Sequence, residues 1–484
     1  MPFRRSREPL VVTATPTHRH DPAAPLRVPE PGSRRAEIAL VAAEEFSRRG
    51  YHATRVEHIA ERRSVTAGAL YRHVPSKYEM FRDAVATLAA ELDVASSSPA
   101  GPGADGTPGA GGAPTPNRSP TPLGDLVASI TRMTLRHRTR AALYRWQSRY
   151  LTAEDRAAVN EVDARVRRRL ADAIKEERRR QRPHTDGTRA PGAGSAAAAI
   201  LSCIASLGHH RIAVPDADVV ALMTSIADEL ALAVPPPRPD PASDPVPEQN
   251  VAPARTLPPP DATPSTPAPS RLRGGAATRE AAIVAAVARF RSQGYESVTM
   301  EAIGADVGVA ASALYRHFPG KSALLLAAVD RTAQLVEELL DDHAVLDAAG
   351  LGADTGTDSE PGDLLAALLG QYVSIAFSHG PDLMLYHSEL GSLAPEDLAR
   401  LRQSQRRQLH RWASLVVQAT PATPDTPAAP GAPRSDGRPE AESLARIRVH
   451  AALAAVLDGG QGTAFDEAVA PRFEQLAGII LIPH

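Results

Sequence analysis

The chain has one cysteine, few aromatic residues and no long apolar run. A single Cys in 484 residues excludes a disulfide framework. Cys203 lies in AAAAILSCIASL, a setting that favours a small buried apolar residue over the alternative of a reactive thiol. That stretch is also the longest apolar run, well short of the roughly 20 residues that a bilayer crossing needs. Arg4, Arg5 and Arg7 are followed only by LVV, so no export signal is read there. A cytoplasmic chain without a membrane partner is expected. Neither sign of charge dominates: 54 Lys+Arg against 56 Asp+Glu leave −2, which excludes a polybasic nucleic-acid coat but not a local basic face.

Motifs of catalysis are missing as well. The chain has no G-x-x-x-x-G-K-[ST], C-x-x-C, H-E-x-x-H or G-x-S-x-G. Gly101, Gly103 and Gly106 spell G-x-G-x-x-G, but inside a Pro-containing linker with no strand before and no helix after. Adjacent His209 and His210 do not share a helix face, so they read as helix-end residues rather than metal ligands. No cofactor, metal or enzymatic constellation is expected.

Proline, in contrast, is abundant, with 44 residues gathered largely in islands. The islands divide the chain into an arm at 1–32, a linker at 94–121 and a second linker at 235–273; another Pro-rich tract falls at 419–440. Shorter breaks fall at 182–194 and 341–362. Between them Ala, Leu, Val, Arg and Glu recur at helical spacing, so the fold class expected is all-α.

Comparison of the chain with itself is the most informative step. Residues 50–77 align without gaps with residues 294–321 at an offset of 315 − 71 = 244, and 13 of 28 positions are identical, including both A-L-Y-R-H cores. In the second copy Ile283, Ala286, Val287 and Phe290 form one apolar stripe, which Gly294 stops. Thr299 is placed to cap the next helix, Ile303 and Val307 face inward, and Gly308 gives a tight turn before a third helix, AASALYRHF. This is a helix-turn-helix, the arrangement that sends its second helix into a major groove.

Lys occurs only at 77, 175 and 321, and two of the three fall on the same position of the two copies. Either this lysine anchors a phosphate at a helix N-terminus, or it is a solvated residue kept from the duplication. Tyr71 and Tyr315 are either packing residues or, on an exposed helix, contacts to phosphate and thymine methyl. Leu70 and Leu314 should be core.

The F-x-x-x-G-Y segment, the T-x-x-x-I helix, the G-V turn, the A-L-Y-R-H-F helix and the following Lys resemble the N-terminal domain of tetracycline-repressor (TetR) family regulators. The resemblance implies headpieces at 33–93 and 274–338, each followed by a larger helical regulatory domain, at 122–234 and 361–482. It implies double-stranded DNA as partner, read by Thr66, Gly68, Ala69, Tyr71, Arg72, His73 and Lys77 in one copy. In the other copy the readers are Thr299, Ala310, Ser312, Ala313, Tyr315, Arg316, His317 and Lys321. Arg35 and Arg279, which match the arginine that often begins the family's first helix, either touch the DNA backbone or simply start a helix.

The first copy departs from the pattern. Ser64 stands at the Gly turn, Arg63 where the family has a small buried residue, and Val74 in place of the aromatic seen as Phe318. The second copy is therefore the better expected reader.

Residues 143–157 also pair with 385–399, at 386 − 144 = 242, so whole subunits are duplicated. Final helices at about 196–208, 216–233, 441–457 and 465–481 suit a four-helix bundle supplied by one chain. The expectation is a single-chain pseudo-dimer, a regulator and more specifically a repressor, released from DNA by an unknown small-molecule effector. Met133, Tyr144, Trp146 and Tyr150, with Tyr372, Phe377, Met384, Tyr386 and His387, either line effector pockets or pack the cores, the latter being the more ordinary role. A ligand- or partner-binding protein that has lost DNA recognition is the alternative.

Overall fold

The structure, a computed structural model, describes residues 26–97, 121–140, 143, 150–181, 192–232, 275–341, 361–420 and 438–482. Most of the 1–32 arm and of the linkers at 94–121 and 235–273 lies outside the described residues, as do Tyr144, Trp146 and the side chain of His387. Among the described residues there is no strand, and no helix is long and apolar enough to cross a membrane.

The first half comprises α1 (Arg34–Arg49), α2 (Val56–Arg62), α3 (Ala67–Tyr71), α4 (Lys77–Ser97), α5 (Pro122–Arg136), α6 (Ala153–Gln181), α7 (Ala193–Ser206) and α8 (Asp216–Leu232). The second comprises α9 (Gly275–Gln293), α10 (Met300–Val307), α11 (Ala311–Leu314), α12 (Lys321–Asp341), α13 (Pro361–Ser378), α14 (Gly380–Glu389), α15 (Pro395–Ala419), α16 (Arg438–Gly462) and α17 (Ala470–Leu481). Local chemistry sets the ends. The Ser33 hydroxyl accepts from Ala36 N at 3.1 Å to start α1, and Gly50 stops it at φ 83°. Thr121 caps α5 in the same way, ahead of Pro122 at the first helical position, where a missing N–H costs nothing.

Three cores result. Headpiece 1 buries Ile38, Phe46, Ile59, Leu70, Val74 and Phe81 together with Leu143, Leu151 and Val159 from beyond α5. Headpiece 2 buries Ile283, Phe290, Ile303, Leu314, Phe318 and Leu325 with Leu385, Tyr386 and Leu401. Each headpiece is thus seated on the helices that follow it in its own half through shared apolar packing.

The third core crosses the two halves. Helix α7 packs on α16, α8 on α17, and the two members of each half on each other, so four helices of one chain enclose Ile200, Ile204, Ile226, Leu230, Ile447, Val456 and Ile480. Burying each such side chain contributes about 1.5–3 kcal/mol. Arg448 ties the seam by donating to both carboxylate oxygens of Glu229, at 3.1 and 3.2 Å, and to Ile480 O at 2.8 Å. Cys203 is buried there, its Sγ 3.9 Å from Ala451 O across the seam.

Three details differ from the sequence reading. The last helix starts at Ala470 rather than 465, because Ala464 and Phe465 both take φ 55° and break the chain direction ahead of a short 3-10 turn. The third headpiece helix ends at Leu314, since Pro319 disfavours helical backbone at Phe318, and residues 315–317 close as a turn onto Leu314 O. His210 is no helix-end surface residue: it is buried at the seam and stacks on His450, with ring centroids 4.6 Å apart.

Burial, with the neighbouring His450, Arg138, Arg211 and Arg446, holds His210 down to about 2; burial and Arg446 hold His450 down to about 4. Both rings are neutral in the fold but take up a proton on unfolding below the ordinary histidine value of 6.5. The folded state is therefore disfavoured as pH falls through 6.5, by on the order of 1–2 kcal/mol per ring by pH 5. Thermal unfolding should show a falling midpoint over that interval, and His450→Asn should flatten the dependence. A midpoint that does not move between these pH values would contradict the assignment.

Candidate nucleic-acid interface

Each headpiece presents a short helix on a three-helix support. Thr299 Oγ1 accepts from Ala302 N at 3.2 Å to begin α10, and Gly308 turns the chain at φ 75°. Val309 N then donates to Gly304 O at 2.9 Å, and a Cβ at Gly304 would lie 2.7 Å from Val309 O, so in this copy the turn leaves no room for a side chain at 304. In headpiece 1 the corresponding Ala60 O accepts from Val65 N at 3.0 Å, and Ser64 holds φ 53°, the left-handed region that costs a non-Gly residue roughly 1–2 kcal/mol.

The supports bury Leu70 and Leu314 and leave Tyr71 and Tyr315 outward, 46% and 51% exposed. Thr66, Gly68, Arg72 and His73 are exposed and Ala69 half-buried; in the second copy Thr299, Ala310, Ser312 and Arg316 are exposed, with Ala313 and His317 half-buried. Most of the residues singled out in sequence therefore lie at the surface of each headpiece. Phosphate and base edges are within the donor repertoire of that surface: a phenol, a guanidinium and an imidazole in sequence.

The two paired lysines do something neither sequence reading included. Lys77 Nζ donates to His52 O at 3.1 Å and lies 4.7 Å from the Tyr51 ring centroid. Lys321 Nζ donates to Tyr295 O and Glu296 O at 3.0 and 3.1 Å and lies 4.4 Å from the Tyr295 ring. Each lysine staples the start of the long helix to the Gly-Tyr turn through carbonyl and cation–π contacts. Burial pushes the Lys77 ammonium below the ordinary lysine value. The signal was present in the sequence, since Gly-Tyr and Lys recur at the same spacing in both copies.

Neither starting arginine is simply solvated. Arg35 donates to Asp83 and to Glu79, the latter at 2.6 Å, which turns its guanidinium onto α4. Arg279 is exposed, with its Cζ 5.0 Å from the Phe318 ring centroid. Arg63 sits beside Glu37 at 2.6 Å, so the position expected to be small and buried is instead an ion pair on the headpiece surface.

No local pattern announces that the headpieces meet. A Cβ at Gly294 would stand 2.9 Å from Tyr150 Oη and 3.3 Å from His52 Nε2, so the Gly-Tyr turn of headpiece 2 lies against half 1. Tyr150, named as a pocket candidate, instead stacks on Tyr51 at 5.3 Å between centroids and donates to Glu389 Oε1 at 3.5 Å. Met133, Tyr372 and Phe377 belong to the seam core, Tyr386 to the headpiece 2 core, and Met384 is buried. A cleft of about 270 Å³ does occur, between α12, α13 and α15, but its walls are Leu339, Leu340, Leu364, Leu368, Arg411, Ser414 and Leu415.

This geometry defines a helix-turn-helix DNA-binding headpiece, present twice. The family described as bacterial regulatory proteins, tetR family, matches residues 38–84 and 282–328, which are displaced by 282 − 38 = 244, the offset of the internal repeat. The chain carries the DNA-binding regulator domain of the TetR family twice, in tandem. Among curated proteins no significant match is found. Solved structures similar to the chain include a TetR family transcriptional regulator, PfmR, from Thermus thermophilus, at 17% identity and TM-score 0.30, covering 41% of this chain and 94% of that one. A TetR-family transcriptional regulator from Bordetella parapertussis matches at 19% identity and TM-score 0.30, over 41% of this chain and 93% of that one. A bacterial regulatory protein in the tetR family from Rhodococcus matches at 21% and TM-score 0.29, over 42% and 96%.

The turn geometry makes a paired prediction. Ser64→Gly relieves a left-handed serine and should stabilise the protein by up to about 1 kcal/mol, whereas Gly308→Ala should destabilise it by about 1–2 kcal/mol. Denaturant unfolding measures both, and equal effects in the two copies would show that the turns are not as described.

Proposed function

We propose that the chain is a sequence-specific regulator of transcription, a repressor, that binds one double-stranded DNA operator as a single-chain pseudo-dimer. The observation that carries this reading is the seam: α7, α8, α16 and α17 supply within one chain a four-helix interface between two headpiece-bearing halves. A second chain is not needed to complete that interface. Two headpieces on one shared base can address successive major grooves, about one helical turn apart.

The two reading surfaces are unequal. Thr66 and Gly68 in one stand where Ala310 and Ser312 stand in the other, although Tyr, Arg and His are shared. The preferred operator should accordingly have two different half-sites. Control by a small molecule fits a base whose halves can shift, because a ligand that favours one headpiece spacing over another changes DNA affinity by that preference. The residues proposed to contact DNA are Thr66, Gly68, Ala69, Tyr71, Arg72, His73 and Lys77, with their counterparts Ala310, Ser312, Ala313, Tyr315, Arg316, His317 and Lys321 and, in addition, Thr299, the lysines also serving as staples.

Selection of bound genomic fragments with the purified full chain, followed by footprinting and sedimentation, tests the reading. One 51.2 kDa chain per asymmetric site is expected. Arg316→Ala should weaken binding by about 1–3 kcal/mol, or roughly five- to 150-fold, with Arg72→Ala acting on the opposite half-site. A perfect palindrome bound by two chains with four headpieces would overturn the pseudo-dimer. Unchanged affinity in both arginine variants would favour a ligand- or partner-binding role without DNA recognition.

A further inference from the structure

Beside the stacked histidines the seam gathers positive charge. Arg138 follows the end of α5, His210 and Arg211 lie in the loop between α7 and α8, and Arg446 and His450 stand one turn apart on α16. His210 is 7% exposed, and neither of its ring nitrogens has a hydrogen-bond partner among the described residues. The same holds for Nε and Nη2 of Arg138 and for Nε of Arg446, all buried. Arg211 is turned onto backbone, donating to His210 O at 3.1 Å. The carboxylate that acts on Arg138 is Asp216, at the start of α8, yet it takes no hydrogen bond from those two buried nitrogens.

Buried donors are almost always satisfied, and a buried cation without a partner is costly. Here Arg138, Arg211, Arg446 and the stacked His450, drawn from both halves, surround the buried His210 ring, and the one carboxylate that acts on Arg138 leaves its buried nitrogens unpaired. Guanidinium groups bind oxyanions through planar, charge-assisted pairs, and an imidazole that gains a proton becomes a further donor. We infer that this cluster is an anion-binding site bridging the two halves, taking a small oxyanion of the phosphate or sulfate class on Arg138, Arg446 and His210. The site stands independently of the DNA-binding reading.

Its position gives the occupant mechanical reach. The segment that carries Arg138 also places His137 Nε2 2.7 Å from Glu91 and Arg140 3.0 Å from Glu44 of α1, and Ser47 Oγ donates to Arg140 O at 3.2 Å. An anion held by Arg138 and Arg446 therefore links α16 of the second half to the strut under headpiece 1.

Titration calorimetry of the full chain with inorganic phosphate, and separately sulfate and malonate, at constant ionic strength tests the site. Saturable binding with one anion per chain is expected, together with movement of the His210 and His450 ring resonances. Arg138→Gln should weaken binding at least about tenfold. Asp216→Asn should strengthen it by removing the competing carboxylate, a gain that misfolding cannot imitate. Preference for malonate over both tetrahedral anions would overturn the ligand class. The site itself would be overturned by absence of saturable binding, by unchanged affinity in Arg138→Gln, or by a loss in Asp216→Asn.

Discussion

The structure depends on apolar burial between helices that are far apart in sequence. Without the seam of α7, α8, α16 and α17, each half would expose the inner faces of its last two helices, and neither headpiece would have a fixed relation to the other. Ala-rich packing makes the seam close: Ala196, Ala197, Ala451, Ala452 and Ala455 are all buried in it, so backbones approach where larger side chains would hold them apart. Polar groups then specify register. Arg448 reaches Glu229 and Ile480 O together, and loss of either partner would leave a mostly buried charge unsatisfied.

The headpieces show how one motif tolerates unequal sequences. Both use a Lys-to-turn staple and a buried Leu behind an outward Tyr, and these are the features that the repeat keeps. Where copy 2 relies on Gly304 and Gly308 for its turn, copy 1 has Ala60 and a left-handed Ser64. The first copy carries ion pairs around this turn, Arg62 on Glu44 at 2.6 Å and Arg63 on Glu37 at 2.6 Å, and the second pairs Arg289 with Asp306 across the equivalent two helices. Such partly exposed pairs contribute little individually, about 0–1 kcal/mol.

Much of this was legible in sequence because it is local. The period of Ile283, Ala286, Val287 and Phe290, the capping Thr299 and the positive-φ Gly308 each act within a few residues. The burial of Leu70 and Leu314 beside exposed tyrosines followed from the same helical phase. What escaped is long-range. Nothing near Tyr150 announces that its ring will pack on Tyr51, nor near Gly294 that a glycine there admits His52 and Tyr150 from the other half. His210 read only as a helix-end residue, because its burial is imposed by α16, some 240 residues later in the chain.

Covalent fusion changes what such an interface is allowed to be. Two separate identical subunits meet through a self-complementary surface, where every contact recurs by symmetry. Here Arg448 pairs with Glu229, but α7, the helix equivalent to α16, carries no basic residue, so the reciprocal pair cannot form. The stacked His210 and His450 likewise join a loop of one half to the middle of a helix in the other. Linkage replaces a concentration-dependent encounter by an intramolecular one. Each half is then free to specialise without losing its partner. The unequal turns, the unequal reading surfaces and the one-sided polar contacts of the seam are what that freedom permits, and a symmetric dimer of either half alone could keep none of the three.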